Sequence, residues 1–255
     1  MSMNEQFEEL FGPMVGQGAQ ATVYAKNGFA VKLYRKGYPK RNVFSEAYIM
    51  ANLEQEDFPA PKVYEVLFVD GRYGIRMDRV KGTMMSEYLA HPQKTKETLD
   101  ALIALQCRLQ QQTQVGLWAP ELKLRFRGDL IRNKELTTDI REHLLARLDR
   151  LPDGDAFCHC DFHSGNVFFD GEHYTVIDLL QVCKGNPAAD AACSFMSYSL
   201  IHSELAAYYV QKYSEVSAIP KEQVMQWLPV YAGTLWGQLP KEYMPMIEQF
   251  ITETV

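Results

Sequence analysis

The chain has 255 residues, with 26 lysines and arginines against 32 aspartates and glutamates, for a formal charge of −6. Its 47% apolar and 23% charged residues are ordinary for a globular protein, which excludes wholesale disorder. The acidic balance argues against nucleic acid or a membrane surface as partner, and no apolar run approaches the ~20 residues that span a bilayer. The acidic N-terminus lacks the apolar core of a secretion signal. Five cysteines, an odd count, read as reduced thiols of a cytoplasmic protein.

Strand signals dominate the first 80 residues. Met14-Val15 leads into Gly16-Gln17-Gly18, then the run Ala21-Thr22-Val23-Tyr24-Ala25. Asn27-Gly28 separates that run from Phe29–Tyr34, and Asp70-Gly71 separates Val63–Val69 from Arg72–Met77. Both dipeptides are hairpin signals, because both turn residues must accept positive φ. Between the hairpins a helix is expected from about Val43 to Leu53. After Gly82 the apolar spacing turns helical, with Leu99, Leu102, Ile103, Leu105 and Leu109 marking one helix. Leu136, Ile140, Leu144, Leu145 and Leu148 mark another. A short hairpin follows, Asn166–Phe169 and Tyr174–Ile177 around Asp170-Gly171. The tail from Pro187 is helical, with breaks near Pro220 and Pro240. The expected fold is α+β and bilobal. Residues 1–80 form a small antiparallel sheet with one helix, residues 81–255 a mainly helical lobe, and a cleft lies between them.

Several residues carry chemical potential. Gly16-x-Gly18-x-x-Ala21-x-Val23 sits between two strands, where glycines would let backbone N–H groups approach phosphate oxygens. A flexible hairpin turn is the plainer reading of that segment alone. Lys32 follows in the next strand, on the same face as Ala30, which leaves room for a flat base. Glu46, on the helix, could hold Lys32 as an ion pair. His159-Cys160-Asp161-Phe162-His163-Ser164-Gly165-Asn166 is more informative. If Asp170-Gly171 is the turn, Asn166 and Asp178 share the hairpin's open end, two hard-oxygen ligands for Mg²⁺ held with phosphates. Asp161 could accept a proton from a hydroxyl. Loop capping by Asp and Asn is the alternative.

In this order the motifs resemble the protein-kinase-like superfamily, and more closely its aminoglycoside phosphotransferase and choline kinase branch. The branch pattern His-Gly-Asp-x-His-x-Gly-Asn, then a hairpin, then Ile-Asp, is matched by His159–Asn166 and Ile177-Asp178. Its Gly-x-Pro-x-x-Asp is matched by Gly185–Asp190. The resemblance spans about Val15 to Phe195. It implies that Gly16 and Gly18 cover the nucleotide phosphates, with Val23 and Ala30 beside the base. Lys32, braced by Glu46, would bind phosphates. Met77 to Val80 would form the hinge, with backbone groups of Asp78 and Val80 reading adenine. Asp161 would be the catalytic base, Asn166 and Asp178 the Mg²⁺ ligands, and His159, His163 and Asp190 supports. Cys160 stands where the branch has glycine. Leu179-Leu180 stands where protein kinases have Phe-Gly.

The implied activity is transfer of the ATP γ-phosphoryl group to a hydroxyl of a small molecule, with Mg²⁺ as cofactor. Only eleven residues separate Asp178 from Asp190, and none is Ser, Thr or Tyr, which leaves no activation segment for docking a peptide. A nucleotide and a small acceptor are the expected partners, and a monomer or weak dimer the expected state. From Leu200 onward there are six acids against three lysines, with Tyr208, Tyr209, Tyr213, Trp227, Tyr231, Trp236 and Tyr243. Helix packing is the plainer reading of these aromatics, and a pocket for a cationic acceptor the alternative. A catalytically silent binding module and an atypical protein kinase are the competing functional readings.

Overall fold

The computed structural model describes residues 3–116 and 118–252. The chain divides into two compact units, Met1–Met85 with Gly165–Leu180, and Ser86–Ser164 with Gln181–Val255. The boundary thus falls after residue 85 where the sequence suggested 80, and the 165–180 segment groups with the N-terminal residues.

In the first unit, β1 (Met14–Gln17), β2 (Ala21–Lys26), β3 (Phe29–Tyr34), β4 (Val63–Val69) and β5 (Arg72–Asp78) form one antiparallel sheet, in the order β1-β2-β3-β5-β4. Asn27 and Gly28 both take positive φ, as do Asp70 and Gly71. These are the conformations a two-residue hairpin turn requires. The acidic N-terminal run, which carries no strand or site signal, forms α1 (Met3–Phe11). Phe7 and Phe11 lie one turn apart on it, and they cover Tyr24, Val31 and Leu33 on one face of the sheet. α2 (Lys40–Leu53) begins three residues before the expected start. It buries Val43, Glu46, Ile49, Met50 and Leu53, a helical spacing that packs against β4 and β5.

β6 (Thr83–Met84), β8 (Val167–Phe169) and β9 (Tyr174–Val176) make a second small sheet in the order β6-β8-β9. The β8–β9 connection is the four-residue loop 170–173, which contains the expected Asp170-Gly171 and leaves the strands where the sequence put them. Asp170 Oδ1 accepts from the N–H of Glu172 and of His173, so its side chain shapes a wider loop. Gly82 (φ +91) admits the chain to β6, since a Cβ there would lie 2.3 Å from the Phe169 carbonyl oxygen.

The second unit holds α4 (Thr95–Gln112), α5 (Leu122–Arg132), α6 (Thr138–Arg150), α7 (Pro187–Ile201), α8 (Ser203–Ser217), α9 (Lys221–Leu235) and α10 (Met244–Thr252). The short α3 (Met85–Leu89) straddles the division. β7 (Ala156–Cys158) pairs antiparallel with β10 (Cys183–Gly185). Leu99, Ile103, Phe126, Leu130, Leu144 and Trp227 lie in its core. Tyr209, Tyr213, Trp227 and Tyr231 are buried there too, which makes these four packing residues. Of the six late acids, Glu253 lies outside the described residues. No helix among the described residues is long and apolar enough to cross a membrane.

Candidate active site

The sequence-identified residues fall into two groups, one in each unit. In the first, cross-strand register puts Val23 opposite Lys32 and Ala30 opposite Met77. Directly paired residues share a face, so Val23, Ala30, Lys32 and Met77 line one side of the sheet, opposite the side covered by α1. Lys32 Nζ donates to Glu46 Oε1 at 2.7 Å and to Asp178 Oδ1 at 2.9 Å. Glu46 is almost fully buried, and the Lys32 side chain is 16% exposed. Burial by itself pushes the Lys32 ammonium down. Glu46 and then Asp178 outweigh it, so the net shift is upward and Lys32 is charged at neutral pH.

Asn166 and Asp178 sit together at the open end of the β8–β9 hairpin. Val167 faces Val176 across it, and Ile177 N–H donates to the Asn166 carbonyl at 2.9 Å. Asp178 has φ +61, a left-handed conformation that aspartate adopts more readily than most residues, at the point where the strand ends. Leu179 is buried in the short turn that follows.

Gly16 and Gly18 lie on either side of the β1 end. Neither takes a positive φ, and a Cβ on either would meet its nearest neighbour only at 3.8 or 3.9 Å. Their backbone geometry here does not by itself require glycine. Asp78 ends β5, where its N–H donates to the Lys62 carbonyl and its carboxylate accepts from Tyr64 and from the Lys62 N–H. Its backbone donor is therefore already used. Val80 follows in irregular chain.

The second group is built on the loop after β7. Asp161 is partly exposed, and His163 Nε2 lies 3.6 Å from its Oδ1. His159 is buried and meets Phe162 edge-on at 5.8 Å. Cys160 has φ +61, a conformation that favours glycine and costs any other residue ~1–2 kcal/mol. Its thiol is buried against those of Cys183 and Cys193.

Asp190 is completely buried and holds this loop in place. Its Oδ1 accepts from the Cys160 N–H at 2.7 Å, and its Oδ2 accepts from Gln106 Nε2 and Gln110 Nε2, both at 2.8 Å. The two glutamine oxygens accept in turn from Tyr209 and Tyr213, at 2.7 and 2.8 Å. This network ties α4, α7 and α8 to the residue preceding Asp161. The sequence reading included Asp190 but not Gln106, Gln110, Tyr209 or Tyr213 as members. The available signal was two glutamines at i, i+4 interrupting an otherwise apolar helix face. Tyr34 was likewise missed, although it continues the alternation of Ala30 and Lys32. Its hydroxyl donates to Glu46 Oε2.

A model of the phosphotransferase enzyme family (APH) matches residues 15–228. None of the curated proteins matches the chain. Among solved structures, an aminoglycoside-3′-phosphotransferase of type VIII is 19% identical, covers 91% of this chain and 98% of its own, and superposes with a TM-score of 0.63. The aminoglycoside phosphotransferase APH(3″)-Id from Streptomyces rimosus, in complex with ADP and streptomycin, is 18% identical over 93% and 100%, with a TM-score of 0.65. A choline/ethanolamine kinase family protein from Mesorhizobium loti is 14% identical over 94% and 80%, with a TM-score of 0.60. The chain has the kinase-like fold of these proteins, and it belongs to the APH family of phosphotransferase enzymes.

Proposed function

We propose that this enzyme transfers the γ-phosphoryl group of ATP to a hydroxyl of a small molecule. The observation that carries the reading is the Lys32 ammonium, held between Glu46 and Asp178 on the sheet face that also bears Ala30 and Val23. A charged lysine fixed by two carboxylates suits phosphate recognition, because the ion pairs set its position before the ligand arrives. In this reading the triphosphate draws Lys32 towards its oxygens, and Glu46 keeps the ammonium in place. Gly16 and Gly18 lie over the phosphates, and the chain from Met77 to Val80 reads adenine. Of Asp78's two backbone groups only the carbonyl could take part, since its N–H is bonded to Lys62.

Asn166 and Asp178 offer an amide oxygen and a carboxylate as ligating atoms, a hard-oxygen set that suits Mg²⁺ shared with phosphates. When bound there, the metal would neutralise charge on the phosphate oxygens. Asp161 would orient the acceptor hydroxyl and accept its proton. The network around Asp190 would hold the Asp161 loop in place, and His163 would limit the carboxylate's freedom. Positioning and charge neutralisation supply most of the acceleration in such transfers.

The acceptor is a hydroxylated small molecule of the aminoglycoside, choline or sugar type. The APH family match and the pairing of nucleotide with streptomycin in the Streptomyces rimosus relative support this class. The short segment between Asp178 and Asp190 disfavours a protein acceptor. The test has two steps. First, Mg²⁺ with ATP should raise the melting temperature. Second, the enzyme is incubated with Mg-ATP and a pooled library of amines, sugars and alcohols, and new masses carrying one added phosphoryl group are sought. Thermal stabilisation without any phosphorylated product would favour a silent binding module, and transfer to protein alone would favour a protein kinase.

A further inference from the structure

We propose that Tyr34 and Tyr38 are positioning residues for nucleotide binding, holding Glu46 and the glycine loop in register around Lys32. The proposal rests on the reading of Lys32 as the phosphate-binding lysine. Tyr34 lies two residues beyond Lys32 on β3, so its side chain continues the same sheet face. It is completely buried, and its ring lies 5.5 Å beneath the Lys32 ammonium. Its hydroxyl donates to Glu46 Oε2, while Glu46 Oε1 accepts from Lys32.

A buried carboxylate with a donor on each oxygen has one orientation. Remove the phenol hydroxyl, and Oε2 is left buried without that donor. Glu46 then regains hydrogen bonding only by turning, which takes Oε1 off the ammonium. Burial first, and the Glu46 charge second, push the Tyr34 hydroxyl well above its ordinary range, so it stays protonated and remains a donor. Because Glu46 sits on α2 and Tyr34 on β3, the bond also fixes the helix against the sheet.

Tyr38 extends the arrangement. It stacks on Tyr34 with ring centroids 4.7 Å apart and planes within 15°. Its hydroxyl donates to Gln20 Oε1 at 2.7 Å, and the Gln20 carbonyl accepts from Arg35 N–H at 2.9 Å. Gln20 lies in the glycine loop, between Gly18 and Ala21. One pair of stacked rings therefore joins the loop expected over the phosphates to the ion pair expected beneath them.

The test is a double-mutant cycle on Mg-ATP binding, measured by calorimetry well below the melting temperature of every variant. Tyr34→Phe should raise the Kd about tenfold, the effect of one hydrogen bond to a charged group. Tyr38→Phe, which loses a more exposed bond, should raise it about twofold to threefold. In the Lys32→Ala background Tyr34→Phe should change the Kd by less than about twofold, since it acts through the ammonium. KM for ATP should rise with Kd, while KM for the acceptor stays unchanged. A purely structural tyrosine would lower the melting temperature and leave nucleotide affinity at the wild-type value, which would overturn the proposal. So would full additivity with Lys32→Ala. If the wild-type protein does not bind Mg-ATP, the phosphotransferase reading falls and takes this proposal with it. If wild type binds and Lys32→Ala does not, the reading stands and the tyrosine variants decide. Should Tyr34→Phe fail to fold, Tyr38→Phe and Gln20→Ala decide the same question. Unchanged affinity in both would refute it.

Discussion

Replacing Asp190 by alanine removes the central acceptor of the network behind the Asp161 loop. Three donors lose their partner at once: the Cys160 N–H, Gln106 Nε2 and Gln110 Nε2. Each buried donor left unsatisfied costs ~1–3 kcal/mol. The full sum is not expected, because Gln106 Nε2 also reaches Ser194 Oγ at 3.0 Å and Gln110 Nε2 the Pro187 carbonyl at 3.4 Å. The Cys160 N–H precedes Asp161 by one residue, so its loss falls directly on that loop. A net loss of about 3–5 kcal/mol follows. Urea unfolding of the wild type and Asp190→Ala, monitored by tryptophan fluorescence, measures it. Asp190→Asn keeps one acceptor oxygen and should lose about half as much. A loss below about 1 kcal/mol for Asp190→Ala would refute the claim that this carboxylate supports the loop.

Other expectations follow from the same structure. Lys32→Ala should weaken Mg-ATP binding by about 10- to 100-fold, the effect of losing a charged donor to phosphate, and titration calorimetry would detect an unchanged Kd. Gly82→Ala should destabilise the protein by about 2 kcal/mol or more, because it adds a Cβ 2.3 Å from the Phe169 carbonyl oxygen at φ +91. A melting temperature equal to wild type would contradict it. Burial first, then the Asp190 charge, pushes the Cys107 thiol up to about 11 from an ordinary 9.0. The unfolded chain therefore releases this proton first, so the stabilisation is complete below pH 9 and is lost as pH rises through 11. Denaturation across that range should show a shallower decline for Cys107→Ala than for wild type, and parallel curves would exclude the contribution.

Much of the site was legible because its parts obey local rules. Asn27-Gly28 and Asp70-Gly71 demand positive φ, which placed two hairpins and, through strand alternation, put Ala30 and Lys32 on one face. The spacing of Asn166 and Asp178 about the Asp170-Gly171 turn placed both at one hairpin end, and the strands pair Val167 with Val176 accordingly. What stayed hidden depends on contacts distant in sequence. Nothing near Gln106 states that its partner is Asp190, 84 residues away. Nothing near Tyr34 states that its hydroxyl meets Glu46. α1 was missed because one short apolar stripe, Phe7 and Phe11, acquires meaning only when a sheet face is there to cover. β6, β7 and β10 are two or three residues long, too short for any periodicity to register.

The most direct measurement follows labelled phosphate from [γ-³²P]ATP in the presence of Mg²⁺ and pooled hydroxylated amines and sugars, comparing wild type with Asp161→Ala. Label should appear in a small molecule with the wild type, at a rate about 10²–10⁴-fold higher than with the variant, the usual worth of general-base help. Absence of any labelled small molecule, or equal rates for the two proteins, would contradict the proposed phosphotransfer mechanism.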